Sequence, residues 1–163
     1  MSKKILNPFA MLCFGLIIGI IARLLDIYTT NMGEIFSQMA IWILMGTLIS
    51  IYSKTAKKAI LNVLPFCLGM LLTYYVVAAL SHGVYSKDFI IGWTVFALFS
   101  PVLAYFTWMA KQPGALGKLI SVGVLLVSVV LNFLMFGDPD VFNLLINAVL
   151  FYILFIKKIP RKV

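Results

Sequence analysis

The chain has 163 residues, of which 63% are hydrophobic and 11% are charged. Soluble domains average about 45–50% apolar and 25% charged residues, so the charges of this chain are too few to cover a water-soluble globule. The high hydrophobicity also excludes intrinsic disorder. The net charge of +8 does not indicate nucleic-acid binding, because long apolar runs separate the basic residues. The composition predicts an integral membrane protein.

Six apolar runs follow one another along the chain and leave no room for a soluble domain. A membrane-crossing helix needs about 20 apolar residues, because each residue adds 1.5 Å towards a hydrocarbon core of roughly 30 Å. The runs do not alternate, which favours helices over barrel strands. We predict one all-α membrane domain, a polytopic bundle of six transmembrane helices that span Pro8–Tyr28, Ile35–Ser53, Ala59–Leu80, Phe89–Ala110, Leu119–Gly137 and Val141–Ile156.

The charged residues predict the orientation of this bundle. The two tails and the second and fourth loops carry eleven basic residues and no acid. Arg23 and Lys87 lie on the other side, together with all five acidic residues of the chain. Because positive residues stay in the cytoplasm, we predict that both termini are cytoplasmic (N-in/C-in).

Small residues mark one face of the first predicted helix. Gly15, Gly19 and Ala22 are four and three residues apart, so they share a face. Lipid provides little hydrophobic drive between helices, and small residues allow close approach. Two interpretations remain open: packing within the bundle, or docking to a second membrane subunit.

Prolines and turn residues refine the boundaries. Pro65 and Pro101 lie inside the third and fourth spans, where each removes a backbone donor and predicts a kink. The pair Pro113–Gly114 predicts a tight turn. Either Asp138 or Asp140 is placed to cap the sixth helix.

Motifs of catalysis and metal binding are missing from the sequence. His82 is the single histidine, which excludes a HExxH protease and most zinc sites. Cys13 and Cys67 have no CxxC partner, so we expect them to fill the core rather than form a disulfide. We therefore predict a protein that is not an enzyme and has no metal ion or cofactor.

Polar and aromatic side chains gather in the outer halves of the predicted spans. Glu34, Gln38 and Trp42 are each four residues apart, and Asn143 and Asn147 repeat that spacing, so each set shares a helix face. All six helices contribute to this half. The candidate ligand-binding residues are Arg23, Asp26, Glu34, Gln38, Trp42, Tyr74, Tyr75, Trp93, Asn132, Asn143 and Asn147.

Two interpretations of this set compete. In the first, the asparagine side chains form hydrogen bonds between helices, Trp93 and the tyrosines form an interfacial belt, and Arg23 pairs with Asp26. In the second, the set lines an outward-open cavity for a small polar or aromatic molecule. The tryptophans would then stack on the ligand, the amides would bind its polar edge, and Arg23 would pair with an acidic group.

A resemblance to a known family is carried by the segments FSQMAIW (36–42), GTL (46–48), SKTAKKA (53–59), LNV (61–63), GMLLTYY (69–75), SP (100–101) and WMAK (108–111). These segments resemble a family of small bacterial multi-pass membrane proteins that is known only as a domain of unknown function. The resemblance implies a location in the bacterial cytoplasmic membrane and supplies no activity.

The predicted architecture is also similar to that of the S components of energy-coupling-factor vitamin transporters. Those proteins have six helices with both termini inside and bind their ligand in the outer half. Their first helix docks a partner through small residues four apart, which Gly15 and Gly19 resemble. This similarity is one of fold, and a fold does not determine function.

The leading functional hypothesis is a non-enzymatic protein that binds or transports a small solute in an outer-half cavity. The alternative is a structural, accessory or regulatory membrane subunit, for example an immunity protein, that acts through helix–helix contacts; a lipid-modifying enzyme ranks third. The predicted partners are the lipid bilayer, a small-molecule ligand and a membrane subunit, and no nucleic acid.

Overall fold

The structure is a computed structural model that describes residues 6–29, 33, 35–36, 38–81, 87–137, 140–157 and 159. The described residues form six helices, which confirms the predicted all-α architecture. They are α1 (Pro8–Tyr28), α2 (Met39–Tyr52), α3 (Ala56–Leu80), α4 (Lys87–Met109), α5 (Ala115–Phe136) and α6 (Val141–Phe151), and α6 continues into a π-helical turn (Tyr152–Ile156).

Four of these helices are long and apolar enough to cross a membrane. They are α1, α3, residues Ile90–Met109 of α4 and residues Ala115–Leu134 of α5. The second and sixth are shorter apolar helices, Met39–Tyr52 and Val141–Ile156. These lengths and compositions indicate a membrane location.

The predicted span Ile35–Ser53 contains a break, because Ile35 and Phe36 are helical but the helix does not continue through Gln38. Gln38 has an extended backbone, with φ −82° and ψ 143°, and α2 begins only at Met39. A hydrogen bond from the Trp42 indole to the carbonyl of Phe36 (2.9 Å) ties the preceding segment to the first turn of α2. With 14 residues, α2 is about 21 Å long.

Side-chain caps and a glycine turn explain several helix ends. The side chains of Asn7 and Thr55 accept hydrogen bonds from the first turns of α1 and α3, and Asp140 caps α6 as predicted. Asp138 lies outside the described residues. Gly114 has φ +101° in the turn between α4 and α5, a conformation that favours glycine.

The first helix packs on α3, and the two run in the same direction. A Cβ atom on Gly15 would overlap the carbonyl oxygen of Phe66, and one on Gly19 would overlap that of Met70. On α3, a Cβ on Gly69 would lie 2.8 Å from the carbonyl oxygen of Leu12. Glycines on both helices therefore set their close approach.

The second helix lies at the centre of the bundle. It contacts α3, α4, α5 and α6, and its residues Trp42, Ile43, Thr47 and Ser50 are buried. Pro65 and Pro101 lie inside α3 and α4, which continue past them.

Hydrogen bonds define the first of two bundle ends, which we call the Ser53 end. The Asn62 amide donates to Ser53 Oγ (3.1 Å), and the Trp108 indole donates to the Ser53 carbonyl (3.1 Å). Lys111 Nζ donates to the carbonyls of Leu154 and Lys157, both at 2.8 Å. This end therefore contains the starts of α3 and α5 and the ends of α2, α4 and α6.

Lys157, at the Ser53 end, lies over the ring of Tyr52, with Nζ 5.6 Å from the ring centroid. A hydrogen bond with the Tyr52 hydroxyl raises the pKa of the Lys157 ammonium above its usual value.

The opposite end, which we call the Gln38 end, contains the starts of α2, α4 and α6 and the ends of α1, α3 and α5. Gln38 Nε2 donates to Asp140 Oδ2, which joins the starts of α2 and α6. Arg23, near the end of α1, contacts Tyr74 near the end of α3. Successive helices thus alternate in direction.

Candidate functional site

Every predicted ligand-binding residue except Glu34 falls among the described residues, and Glu34 lies outside them. The described ones are all in the half of the bundle at the Gln38 end. They form three separate groups rather than one continuous lining.

The first group is an ion pair with a tyrosine between α1 and α3. The buried Arg23 guanidinium pairs with Asp26, three residues further along α1. The Tyr74 hydroxyl donates to Asp26 Oδ2 (3.1 Å), and its ring lies 5.4 Å from the guanidinium carbon. Tyr75 contacts Tyr74 edge-on, with ring centroids 5.5 Å apart. Asp26 and Tyr74 therefore contact the Arg23 guanidinium from within the protein, and Arg23 Nε is buried without a partner among the described residues.

The second group is aromatic and lies in the core. Trp42 and Trp93 meet edge to face, with ring centroids 6.3 Å apart, and Phe36 and Phe96 pack around them. Trp42 is 5% exposed. Its ring is packed against other rings, and its indole N–H has a carbonyl partner.

A cavity of about 40 Å³ lies beside Trp42, between α2, α3 and α4. Its polar lining includes the hydroxyls of Thr47, Ser50, Ser100 and Thr107. Ser100 Oγ is buried and has no hydrogen-bond partner among the described residues. A buried water needs about 10–15 Å³ of such space and several polar neighbours, so the cavity has room for water. No sequence pattern predicts this cavity, because serines and threonines at helical spacing are typical of packing.

The third group, which we call the amide site, consists of Gln38, Asn132, Asp140, Asn143 and Asn147. The Asp140 carboxylate accepts hydrogen bonds from Gln38 Nε2 through Oδ2 and from the Asn143 backbone through Oδ1 (2.6 Å). The Asn147 amide donates to the carbonyl and the Oδ1 of Asn143, at 3.0 and 2.6 Å. These bonds form a chain from the start of α2 through the first two turns of α6.

Four side-chain atoms of the amide site are buried without a partner among the residues that the structure describes. They are Gln38 Oε1, Asn132 Oδ1, Asn143 Nδ2 and Asn147 Oδ1. A buried polar atom left without a hydrogen bond costs roughly 1–3 kcal/mol. Their concentration in one place marks the amide site as the strongest candidate for binding a ligand.

We assign Asn132 to this site from its level in the bundle. It precedes the end of α5 by four residues, and a short connection leads to α6, which packs against α5. At 1.5 Å per residue, Asn132 lies near the level of the first turns of α6. Ser128, one turn earlier on α5, also has a buried hydroxyl with no partner among the described residues.

The small-residue face of α1 is covered. Gly15, Gly19 and Ala22 are buried, and the two glycines lie against the backbone of α3. A second protein cannot reach them unless α3 is displaced.

An apolar cleft of about 460 Å³ separates α4 from α5. Ile43 of α2 lies between them, and Leu103, Phe106 and Leu126 line the walls. Thr107 is the one polar side chain in this lining, which otherwise offers a ligand no hydrogen bonds.

Metal ligands do not cluster in the described part of the chain. No group of three or more His, Cys, Asp or Glu residues lies close enough there to hold a metal ion. Cys13 and Cys67 are free thiols.

Comparison with known proteins identifies the family and no activity. Residues 2–156 match the family of unknown function DUF6518, and the chain belongs to this family. No curated protein and no solved structure matches it, and the similarity to S components is not shown.

Proposed function

We propose that this protein crosses the membrane six times and binds or transports a small polar solute at the amide site. The observation that carries the proposal is the set of four buried amide atoms without partners at one end of the bundle. A polar solute bound at this site would supply the hydrogen bonds that these atoms lack within the protein. Each bond that the solute makes removes roughly 1–3 kcal/mol of penalty.

The charge distribution supports the orientation. Described basic residues at the Ser53 end are Lys54, Lys57, Lys58, Lys111, Lys118 and Lys157, whereas Asp26, Asp88 and Asp140 are at the Gln38 end. By the positive-inside rule, the Ser53 end faces the cytoplasm and the amide site faces outwards. With the resemblance to bacterial proteins, this favours the bacterial cytoplasmic membrane, with both termini cytoplasmic.

The side chains of the amide site favour binding over catalysis. An amide is neither an acid nor a base near neutral pH, but it both donates and accepts hydrogen bonds. Gln38, Asn132, Asn143 and Asn147 hold the polar edge of the solute in this proposal. Trp42 belongs to the separate aromatic group, where other rings cover it, so the amides alone hold the solute in this proposal.

The alternative role, an accessory subunit docked through Gly15 and Gly19, has less support. Both glycines are already in contact with α3. The apolar cleft between α4 and α5 remains open to lipid, but no described feature of it selects a protein partner. We therefore retain solute binding as the proposed function.

The test is to identify what the purified protein carries. Protein purified from the expressing cells in mild detergent is denatured, and the released small molecules are identified by mass spectrometry. We expect a near-stoichiometric polar molecule from the unaltered protein. The double variant Asn143→Ala/Asn147→Ala should lose it, because it removes two free amide atoms and the bond between them.

The control is Asn62→Ala, which removes a buried amide at the Ser53 end. It should lower thermal stability but keep the bound molecule. The proposal fails if no molecule copurifies and none in a panel of polar metabolites raises the unfolding temperature. It also fails if the double variant retains the molecule.

A further inference from the structure

We propose that the amide site takes a small monovalent cation, either an alkali metal ion or a primary ammonium group. This inference rests on the proposed function and specifies the charge of the solute. It follows from the Asp140 carboxylate, from the free Oε1 of the Gln38 amide that contacts this carboxylate, and from the two further free amide oxygens at the same end of the bundle.

The charge of Asp140 is not balanced by a cation among the described residues. Its described hydrogen-bond donors, the Gln38 side-chain amide and the Asn143 backbone, are both neutral. The ion pair found in the described residues joins Arg23 to Asp26, on α1. A carboxylate oxygen has two lone pairs, so Asp140 retains acceptor capacity for a cationic group.

The free atoms of the site are mainly oxygens, because hydrogen bonding determines which end of each side-chain amide faces its partner. A carboxylate accepts but does not donate, so the amide group of Gln38 that faces Asp140 is the NH₂ group and Oε1 remains free. Asn147 likewise directs its NH₂ group at two oxygens of Asn143, which leaves its own Oδ1 free. Asn132 Oδ1 is the third free acceptor, and Asn143 Nδ2 is the single free donor.

The number of carboxylates determines the charge of the cation. Calcium and magnesium sites in proteins use several carboxylates and many oxygen ligands, whereas the described part of this site holds one carboxylate and three free amide oxygens. The one negative charge that the described residues supply matches one positive charge. The shared chemistry, a monovalent cation bound by oxygens, fits an alkali ion or an ammonium group.

Direct binding tests this inference. The protein in detergent is dialysed to equilibrium against radiolabelled methylammonium or rubidium, with N-methyl-D-glucamine chloride holding the ionic strength constant. We expect about one cation per chain. The two labels distinguish an ammonium site from an alkali-ion site.

Asp140→Asn is the informative variant. Asparagine also caps helices well, so α6 should remain folded while the negative charge is removed. We expect at least a tenfold weaker affinity and the loss of any rise in unfolding temperature caused by the cation. Asp88→Asn is the matched control, because it removes an exposed carboxylate from the first turn of α4 at the same end and should bind as the unaltered protein does.

The outcomes separate the two proposals. If neither label binds, or if Asp140→Asn binds both unchanged, the cation inference is overturned. If a neutral molecule copurifies and is lost only from the Asn143/Asn147 variant, the proposed function stands and the cation inference falls. If neither a label nor any copurified molecule binds, both are wrong.

Discussion

Ser100 and Asn62 are both buried polar residues, but their side chains have different surroundings. Ser100 Oγ faces the cavity of about 40 Å³ and has no partner among the described residues. Asn62 donates to Ser53 Oγ, in a cluster that joins the ends of α2 and α4 to the start of α3. Burial alone therefore does not determine what each residue contributes to stability.

The first prediction compares these two residues by truncation. Ser100→Ala removes a hydroxyl that has no hydrogen-bond partner among the described residues, so the unfolding temperature should stay unchanged or rise. Asn62→Ala breaks a buried hydrogen bond and should cost about 1–3 kcal/mol. Thermal unfolding in one detergent measures both. A loss for Ser100→Ala as large as that for Asn62→Ala would show that the hydroxyl has a hydrogen-bond partner, either an ordered water in the cavity or the thiol of Cys67, which lines the same cavity.

The residues of the amide site show what local sequence patterns predict and what they miss. The spacing of Asn143 and Asn147 predicts a shared helix face, and the two side chains are hydrogen-bonded. The sequence predicts Asp140 only as a helix cap. Its contact with Gln38 joins residues that are 102 positions apart in the sequence. No local pattern predicts such a pairing, because it depends on how α2 and α6 pack.

At the scale of helices, the contact of α1 with α3 depends on glycine. Backbone carbonyls of α3 occupy the space that a side chain at Gly15 or Gly19 would need. A flexible side chain can move out of the way, but a helix backbone cannot without separating the two helices. The two glycines thus set the distance between α1 and α3.

The second prediction follows from this contact. Gly15→Leu or Gly19→Leu should separate α1 from α3 and lower the unfolding temperature strongly, because an overpacked helix contact costs about 1–3 kcal/mol or more. The control is Gly123→Ala on α5, where a new Cβ meets nothing within 4 Å. Alanine there should stabilise the helix by roughly 0.5–1 kcal/mol. Equal effects at the two places would contradict the packing of α1 on α3.

Helix boundaries are likewise predicted less well by local sequence patterns than the helices themselves. Apolar runs predict the existence and order of all six helices, because each run must satisfy its backbone within lipid. The sequence does not predict the break before α2, since Ile35 and Phe36 are as apolar as the helix that follows. The backbone of Gln38 is extended just before α2 begins, and the Trp42 indole donates to the carbonyl of Phe36 across this break. Composition encodes neither feature.

At the scale of the whole molecule, the two ends of the bundle differ in charge. Lysines surround the Ser53 end, and the described acidic residues lie at the Gln38 end with the amide site. The alternation of helix directions brings the charges together in this way, although they are dispersed along the sequence. An outward-facing amide site is consistent with this separation and is open to a direct test.

The third prediction is the orientation of the bundle in the cell. Single cysteines at two exposed positions, Ser81→Cys at the end of α3 and Ala115→Cys at the start of α5, are introduced after Cys13 and Cys67 are replaced by alanine. A membrane-impermeant maleimide should label position 81 in intact cells and position 115 only after lysis, because the lysine-rich end stays inside. Labelling of position 115 alone in intact cells would show that the orientation is the reverse of the predicted one, with the amide site on the cytoplasmic side. Labelling of both positions from outside would mean that α4 does not cross the membrane.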